Sequence, residues 1–110
     1  MADLPLWRTI AASHPALPGH FPGHPIVPGV VILSEVWDAL CASAGRPLRC
    51  TGWPSVKFLA PLHPNEPFTV ELEFTGVESA RFTCRSSERP LASGTVHFAA
   101  RPGAEQVNSG

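Results

Sequence analysis

The sequence predicts an α+β fold in which an antiparallel sheet of five or six strands wraps one long helix. Three observations lead to this prediction. The 110-residue chain is the size of one domain, one apolar run recurs at helical spacing, and the runs after it alternate with a period of two. A single apolar helix must be covered on several sides, and a curled sheet is the simplest cover. We expect residues 1–100 to form the domain and residues 101–110 to be a frayed tail.

The first predicted elements are a strand, a loop rich in Pro and Gly, and the helix. We interpret residues 4–12 as the strand. The loop, residues 13–28, carries apolar residues that need burial, so we expect it to be rigid and ordered rather than a disordered Pro-rich tract. The helix is predicted at residues 29–44, because Pro28 is a start signal and Gly45 a stop signal. Apolar residues fill most of its first half, which predicts a buried helix.

Four strands are predicted after the helix, because the spacing of apolar residues changes to two. They cover residues 53–60, 68–74, 80–85 and 94–98. The segment PLHPNEP, residues 61–67, predicts the turn between the first two of them. A sheet of this kind leaves edge strands, which a second copy of the chain would cover.

The charge balance and the cysteines exclude several classes of protein. Eight Lys and Arg oppose nine Asp and Glu, which excludes a strongly basic nucleic-acid-binding protein as the first choice and argues against a polybasic membrane-surface protein. No apolar run approaches the ~18 residues of a membrane-spanning helix, and the N-terminus shows no secretory signal pattern. Cys41, Cys50 and Cys84 match neither metal nor redox spacing, so we expect reduced thiols in a cytoplasmic protein.

The most informative segment is HFPGHPIVPG, residues 20–29, which leads directly into the predicted helix. It resembles the HFPxxPxxPG motif of the hot-dog-fold 3-hydroxyacyl-acyl-carrier-protein dehydratases and matches every fixed position. The later segment VKFLAPLHPNEPF is similar to the strand, turn and strand that follow the helix in that family. The resemblance implies a hot-dog fold and a 3-hydroxyacyl thioester substrate, carried by acyl carrier protein or coenzyme A, in fatty acid or polyene-type synthesis. It implies no cofactor, and at least a homodimer with the active site at the interface.

Such a dehydration requires a base at the carbon beside the carbonyl, an acid at the leaving hydroxyl, and donors for the carbonyl oxygen. His20 suits the base, because an imidazole is largely neutral near pH 7. Gly29 opens the helix, where N–H groups have no acceptor within the helix, and it has no side chain to block a carbonyl. By resemblance Gly29 is the oxyanion donor. The residues expected to contact substrate are Phe21, Pro28, Val30 and Ser34.

One position departs from the family pattern. The dehydratases carry Glu or Asp fourteen residues after the motif His, and here that position is Ser34. Glu35 follows it, but one residue turns a helical side chain by about 100°. Asp38 lies four residues further along and so shares the face of Ser34. We expect Glu35 or Asp38 to be the catalytic acid, and the sequence does not separate them.

Two other functions stay open at this point. The chain could be a non-catalytic hot-dog subunit that binds acyl thioesters or completes a heterodimer, because Ser34 replaces the acid. It could also be a hot-dog thioesterase, although the HFPxxPxxPG loop argues against this. A metal site is not predicted, because His14, His20 and His24 have no Cys or carboxylate at a known ligand spacing.

Overall fold

The structure, a computed structural model, describes residues 6–11, 13–14 and 26–101. One helix packs against a five-stranded sheet. The elements are β1 Leu6–Arg8, α1 Gly29–Ala44, β2 Leu48–Phe58, β3 Phe68–Gly76, β4 Ser79–Ser86 and β5 Arg89–Ala100. The strand order is β1-β3-β4-β5-β2, and every neighbouring pair is antiparallel. The predicted α+β architecture, with its helix at residues 29–44, is confirmed.

The helix α1 begins and ends where the sequence signals predict. Pro28 precedes it in an extended conformation, and Gly45 ends it with a φ of 69°, donating its N–H to the Cys41 carbonyl at 3.1 Å. A left-handed φ of this kind favours Gly, because a side chain would be strained there. The helix is buried through Val31, Ile32, Val36, Ala39 and Leu40, whereas Val30 is 73% exposed, so the first half of the helix is not covered on every side. This helix is not long and apolar enough to cross a membrane.

Strand β2 is longer and less regular than predicted. It spans Leu48–Phe58 rather than residues 53–60, and its register with β5 shifts at Gly52 and again before Ser55. These irregularities disrupt the alternation of apolar residues, which is why the first half of the strand was missed. The strand lies at one edge of the sheet and pairs only with β5 in the described part of the chain.

The core lies between α1 and the concave face of the sheet. Its largest fully buried side chains are Phe68, Phe82, Phe98, Leu40, Leu62 and Leu91. Cys84 is also buried here, and burial raises the pKa of its thiol to about 12, which makes it an unreactive packing residue. Cys41, Cys50 and Cys84 are all free thiols. Residues 102–110 of the predicted tail lie outside the described residues, so the domain boundary stays a prediction.

A polar cluster joins the segment after β2 to the turn between β4 and β5. The Glu66 carboxylate accepts a hydrogen bond from the Ser86 hydroxyl at 2.5 Å and one from the His63 N–H at 3.1 Å, and Arg89 also donates to it. Arg89 donates in addition to the Pro61 carbonyl at 2.8 Å. Burial alone would raise the pKa of Glu66, but these hydrogen bonds and the Arg89 charge outweigh it and lower that pKa.

We expect Glu66→Gln to lower the free energy of unfolding by about 1 kcal/mol at pH 7. A carboxylate whose pKa is lower in the folded state stabilises the fold above its unfolded pKa, and this stabilisation is lost as pH falls through the folded pKa. Urea unfolding at several pH values should therefore show the variant and the wild type converging in acid. Glu73→Gln is the control, because Glu73 lies 3.8 Å from Arg81 with both side chains mostly exposed. An equal loss in both variants contradicts the role of the cluster.

Candidate functional site

Four of the ten residues of the HFPGHPIVPG motif, 26–29, belong to the described structure. The predicted base His20 and the predicted contact residue Phe21 lie outside the described residues. The described part runs from Ile26 through Pro28 into the helix. The Val27 N–H donates to the Leu62 carbonyl at 2.8 Å, so the end of the motif is tied to the segment that follows β2.

Gly29 opens α1 at a small apolar pocket, which we call the Gly29 pocket. The Pro28 carbonyl accepts the first helical hydrogen bonds, from the N–H groups of Val31 at 3.0 Å and Ile32 at 3.4 Å. The N–H groups of Gly29 and Val30 precede these bonds and have no acceptor within the helix. The pocket has a volume of about 390 Å³ and is lined by Ile26, Val27, Gly29, Ile32, Phe58, Leu59, Ala60, Pro61 and Leu62. An apolar pocket beside first-turn N–H groups suits an acyl chain whose carbonyl lies at the helix start.

The Phe58 ring lies directly against Gly29. A Cβ added to Gly29 would lie 2.6 Å from Cζ of Phe58, a separation that real side chains do not adopt. A side chain at this position would therefore have to displace the Phe58 ring, and it would also narrow the approach of a carbonyl to the helix start. Phe58 itself is 52% exposed, so its ring is a wall of the pocket and not a core residue.

Ser34 lies in a second depression on the neighbouring face of the helix, which we call the Ser34 groove. Its lining residues are Val30, Leu33, Ser34, Trp37, Cys50 and Trp53. Ser34 supplies the hydroxyl among mostly apolar side chains, and no carboxylate is among the described residues that line the groove. The structure thus brings the expected contact residues Val30 and Ser34 together, and separates them from Gly29, which faces the other pocket.

Neither candidate acid is among the described residues that line the Ser34 groove. Glu35 is only partly exposed and accepts a hydrogen bond from the Arg8 guanidinium of β1 at 3.1 Å, an ion pair that holds its carboxylate against the sheet edge. Asp38 is exposed, and its negative charge acts on the Cys41 thiol one turn further along, where burial and Asp38 raise the Cys41 pKa. The choice of Glu35 or Asp38 as the acid stays a prediction.

Several residues of the site carried no signal in the sequence. Arg8 lies 27 positions before Glu35, and nothing in a short strand indicates that its guanidinium reaches the helix. Cys50 and Trp53 reach the Ser34 groove through the irregular half of β2. Phe58 was part of the segment that carried the resemblance, but a lone aromatic residue near the end of a strand is usually a packing residue. Among the described residues, no group of three or more His, Cys, Asp and Glu could hold a metal ion.

Comparison with known proteins identifies the family of this chain. The model of the ApeI-like family, described as ApeI dehydratase, matches residues 3–95. The chain is 28% identical over 103 residues to the 3-hydroxyacyl-acyl-carrier-protein dehydratase FabZ of Acetivibrio thermocellus, covering 84% of this chain and 70% of the relative. It is 32% identical over 87 residues to FabZ of Klebsiella pneumoniae, covering 79% of this chain and 44% of the relative.

Solved structures of low sequence identity share the fold. A chain of the dehydratase heterocomplex ApeI:P from Xenorhabdus doucetiae superposes with a TM-score of 0.75 at 16% identity, covering 90% of this chain and 99% of that one. A mutant of the fluoroacetyl-CoA-specific thioesterase FlK superposes with a TM-score of 0.72 at 19% identity, covering 96% of this chain and 94% of that one. The predicted hot-dog fold is confirmed, and the fold by itself does not separate dehydratases from thioesterases.

Proposed function

Because this chain belongs to the ApeI-like dehydratase family, we propose that it acts on 3-hydroxyacyl thioesters and removes water to form trans-2-enoyl thioesters. The observation that carries the proposal is the Gly29 pocket, in which the end of the HFPGHPIVPG motif forms an apolar cavity at the helix start. His20 is the proposed base, and the Gly29 N–H is the proposed donor to the carbonyl oxygen. The acyl group is delivered on acyl carrier protein or coenzyme A.

The acid of the reaction is the unusual part of this site. Ser34 occupies the position of the family acid, Glu35 is paired with Arg8, and Asp38 does not line the groove. A serine hydroxyl is a poor proton donor near pH 7, although it can orient a water or the substrate hydroxyl. We therefore propose that the chain supplies no carboxylic acid to its own Ser34 groove and that dehydration by this chain alone is slow.

Ser34→Glu tests this proposal. The variant places a carboxyl group in the groove, and we expect the rate of enoyl thioester formation to rise about tenfold or more, in line with the ordinary gain from a positioned acid. Ser34→Gln is the matched control, since it has the same size and no acidic proton. Glu35→Gln and Asp38→Asn should leave the rate unchanged. A large loss in either of these two would identify that residue as the acid and reject the proposal.

The second candidate function is a subunit that works with a different hot-dog chain. Ser34 is the observation that favours it, because a partner could supply the missing carboxylate across the interface. The similar ApeI:P structure is itself a heterocomplex. Exposed Val30 beside the Ser34 groove and the open edge of β2 are the surfaces that a homodimer or heterodimer would cover. A stable monomer in sedimentation at micromolar concentration would count against either assembly.

A further inference from the structure

Phe58 has a backbone that the sheet holds in place and an aromatic side chain that is partly exposed. Phe58 is the last residue of β2 and is paired in register with Ala92 of β5. The next residue, Leu59, donates its N–H to the Leu91 carbonyl at 2.8 Å. The strand therefore holds the Cα of Phe58 in one place, while the residue as a whole is 52% exposed. The core rings of Phe68, Phe82 and Phe98 are, by contrast, at most 1% exposed.

The ring also limits the space at the helix start. It lies against Gly29, and the other pocket walls that surround it are apolar, among them Ile26, Ile32 and Ala60. A volume of about 390 Å³ is at the small end of the range for small-molecule pockets, which is roughly 300–1,000 Å³. In a pocket of this size one aromatic ring takes up a large share of the space that an alkyl chain could fill.

We propose that Phe58 determines acyl chain length, acting as the side-chain wall against which the end of the acyl group packs in the Gly29 pocket. The inference rests on the proposed function, because it assumes that the thioester carbonyl lies at the start of α1. It assigns Phe58 to substrate selection and gives it no part in proton transfer. Removing the ring should lengthen the pocket and admit additional methylene groups, each of which contributes to binding where the pocket walls bury it.

The test measures binding, so that it does not depend on turnover. Calorimetry would give Kd values for saturated acyl-CoA thioesters from four to twelve carbons, with the wild type, Phe58→Ala and Phe58→Leu. We expect the Kd ratio of the shortest to the longest ligand to rise about tenfold or more in Phe58→Ala, and by less in Phe58→Leu. Phe74→Ala is the matched control, because Phe74 is a 40% exposed aromatic residue on β3 that does not line the Gly29 pocket. Circular dichroism would confirm that each variant is folded.

Three results would overturn the inference. One is an unchanged ratio in both Phe58 variants; another is a wild type that binds no acyl thioester of any length. An equal change of Kd at every length would also reject it, since Phe58 would then contact the carrier arm and not the acyl chain. A wild type that binds acyl thioesters in a length-dependent way but does not turn them over would reject the proposed dehydratase function. The binding series would still decide the role of Phe58.

Discussion

His20→Ala should lower the rate of enoyl thioester formation by about a thousandfold, and leave the fold intact. General base catalysis by a positioned side chain contributes roughly 10²–10⁴-fold, and an alanine has no group that can replace the imidazole. The rate would be followed on 3-hydroxyacyl thioesters of both acyl carrier protein and coenzyme A. Urea unfolding of the variant and of the wild type would check that the fold is unchanged, with free energies of unfolding that agree within about 0.5 kcal/mol.

His24→Ala is the matched control for this prediction. His24 belongs to the same motif but occupies one of its variable positions, so its loss should change the rate by less than about threefold. A comparison of two His→Ala changes four residues apart separates the chemistry of His20 from a general disturbance of the loop. Equal activity in His20→Ala and the wild type would reject the assignment of the base.

Gly29→Ala should lower the rate by about a hundredfold, and do so at every acyl length. The new Cβ would meet the Phe58 ring at 2.6 Å, but that ring is half exposed and can move aside, so we expect the variant to fold. The Cβ would still occupy the space through which a carbonyl approaches the helix start. Losing a well-placed oxyanion donor costs roughly 10²–10³ in kcat, so displacing the carbonyl from this donor should have an effect of similar size.

The double variant Gly29→Ala/Phe58→Ala distinguishes the two roles of this glycine. It removes the clash with the ring and keeps the Cβ beside the N–H group. If Gly29 serves the carbonyl, the double variant should remain as slow as Gly29→Ala, with only its chain-length preference altered. Recovery to the rate of Phe58→Ala would mean that Gly29 is a packing residue alone, and the oxyanion assignment would fail.

The helix was predictable to the residue, whereas the sheet was predictable only in outline. Pro28 and Gly45 mark the helix ends through local backbone preferences, which a sequence shows directly. The first half of β2 was missed, because its register shifts near Gly52 remove the period-two pattern. The strand predicted at residues 94–98 is longer in the structure, where β5 spans Arg89–Ala100. It is paired on both sides, with β2 and β4, and this pairing extends the strand beyond its alternating residues.

The candidate site was predictable where it follows the motif and not where it depends on distant contacts. Gly29 and Ser34 were expected from their positions relative to the motif, and the structure places each in a depression on the helix surface. The pairing of Glu35 with Arg8 joins two elements whose relative position no local pattern specifies. Spacing along a helix likewise predicts a shared face for Ser34 and Asp38, but not which side chains of β2 cover that face.

The most direct test of the central claim is the identity of the product. A 3-hydroxyacyl thioester on acyl carrier protein or coenzyme A would be incubated with the purified chain, and the mixture analysed by mass spectrometry and by titration of free thiols. A dehydratase removes one water and leaves the thioester bond intact, and it also hydrates the enoyl product back to the same equilibrium mixture. We expect this result, faster in Ser34→Glu and absent in His20→Ala. Release of free thiol together with the 3-hydroxy acid, and no enoyl thioester, would show a thioesterase and contradict the account.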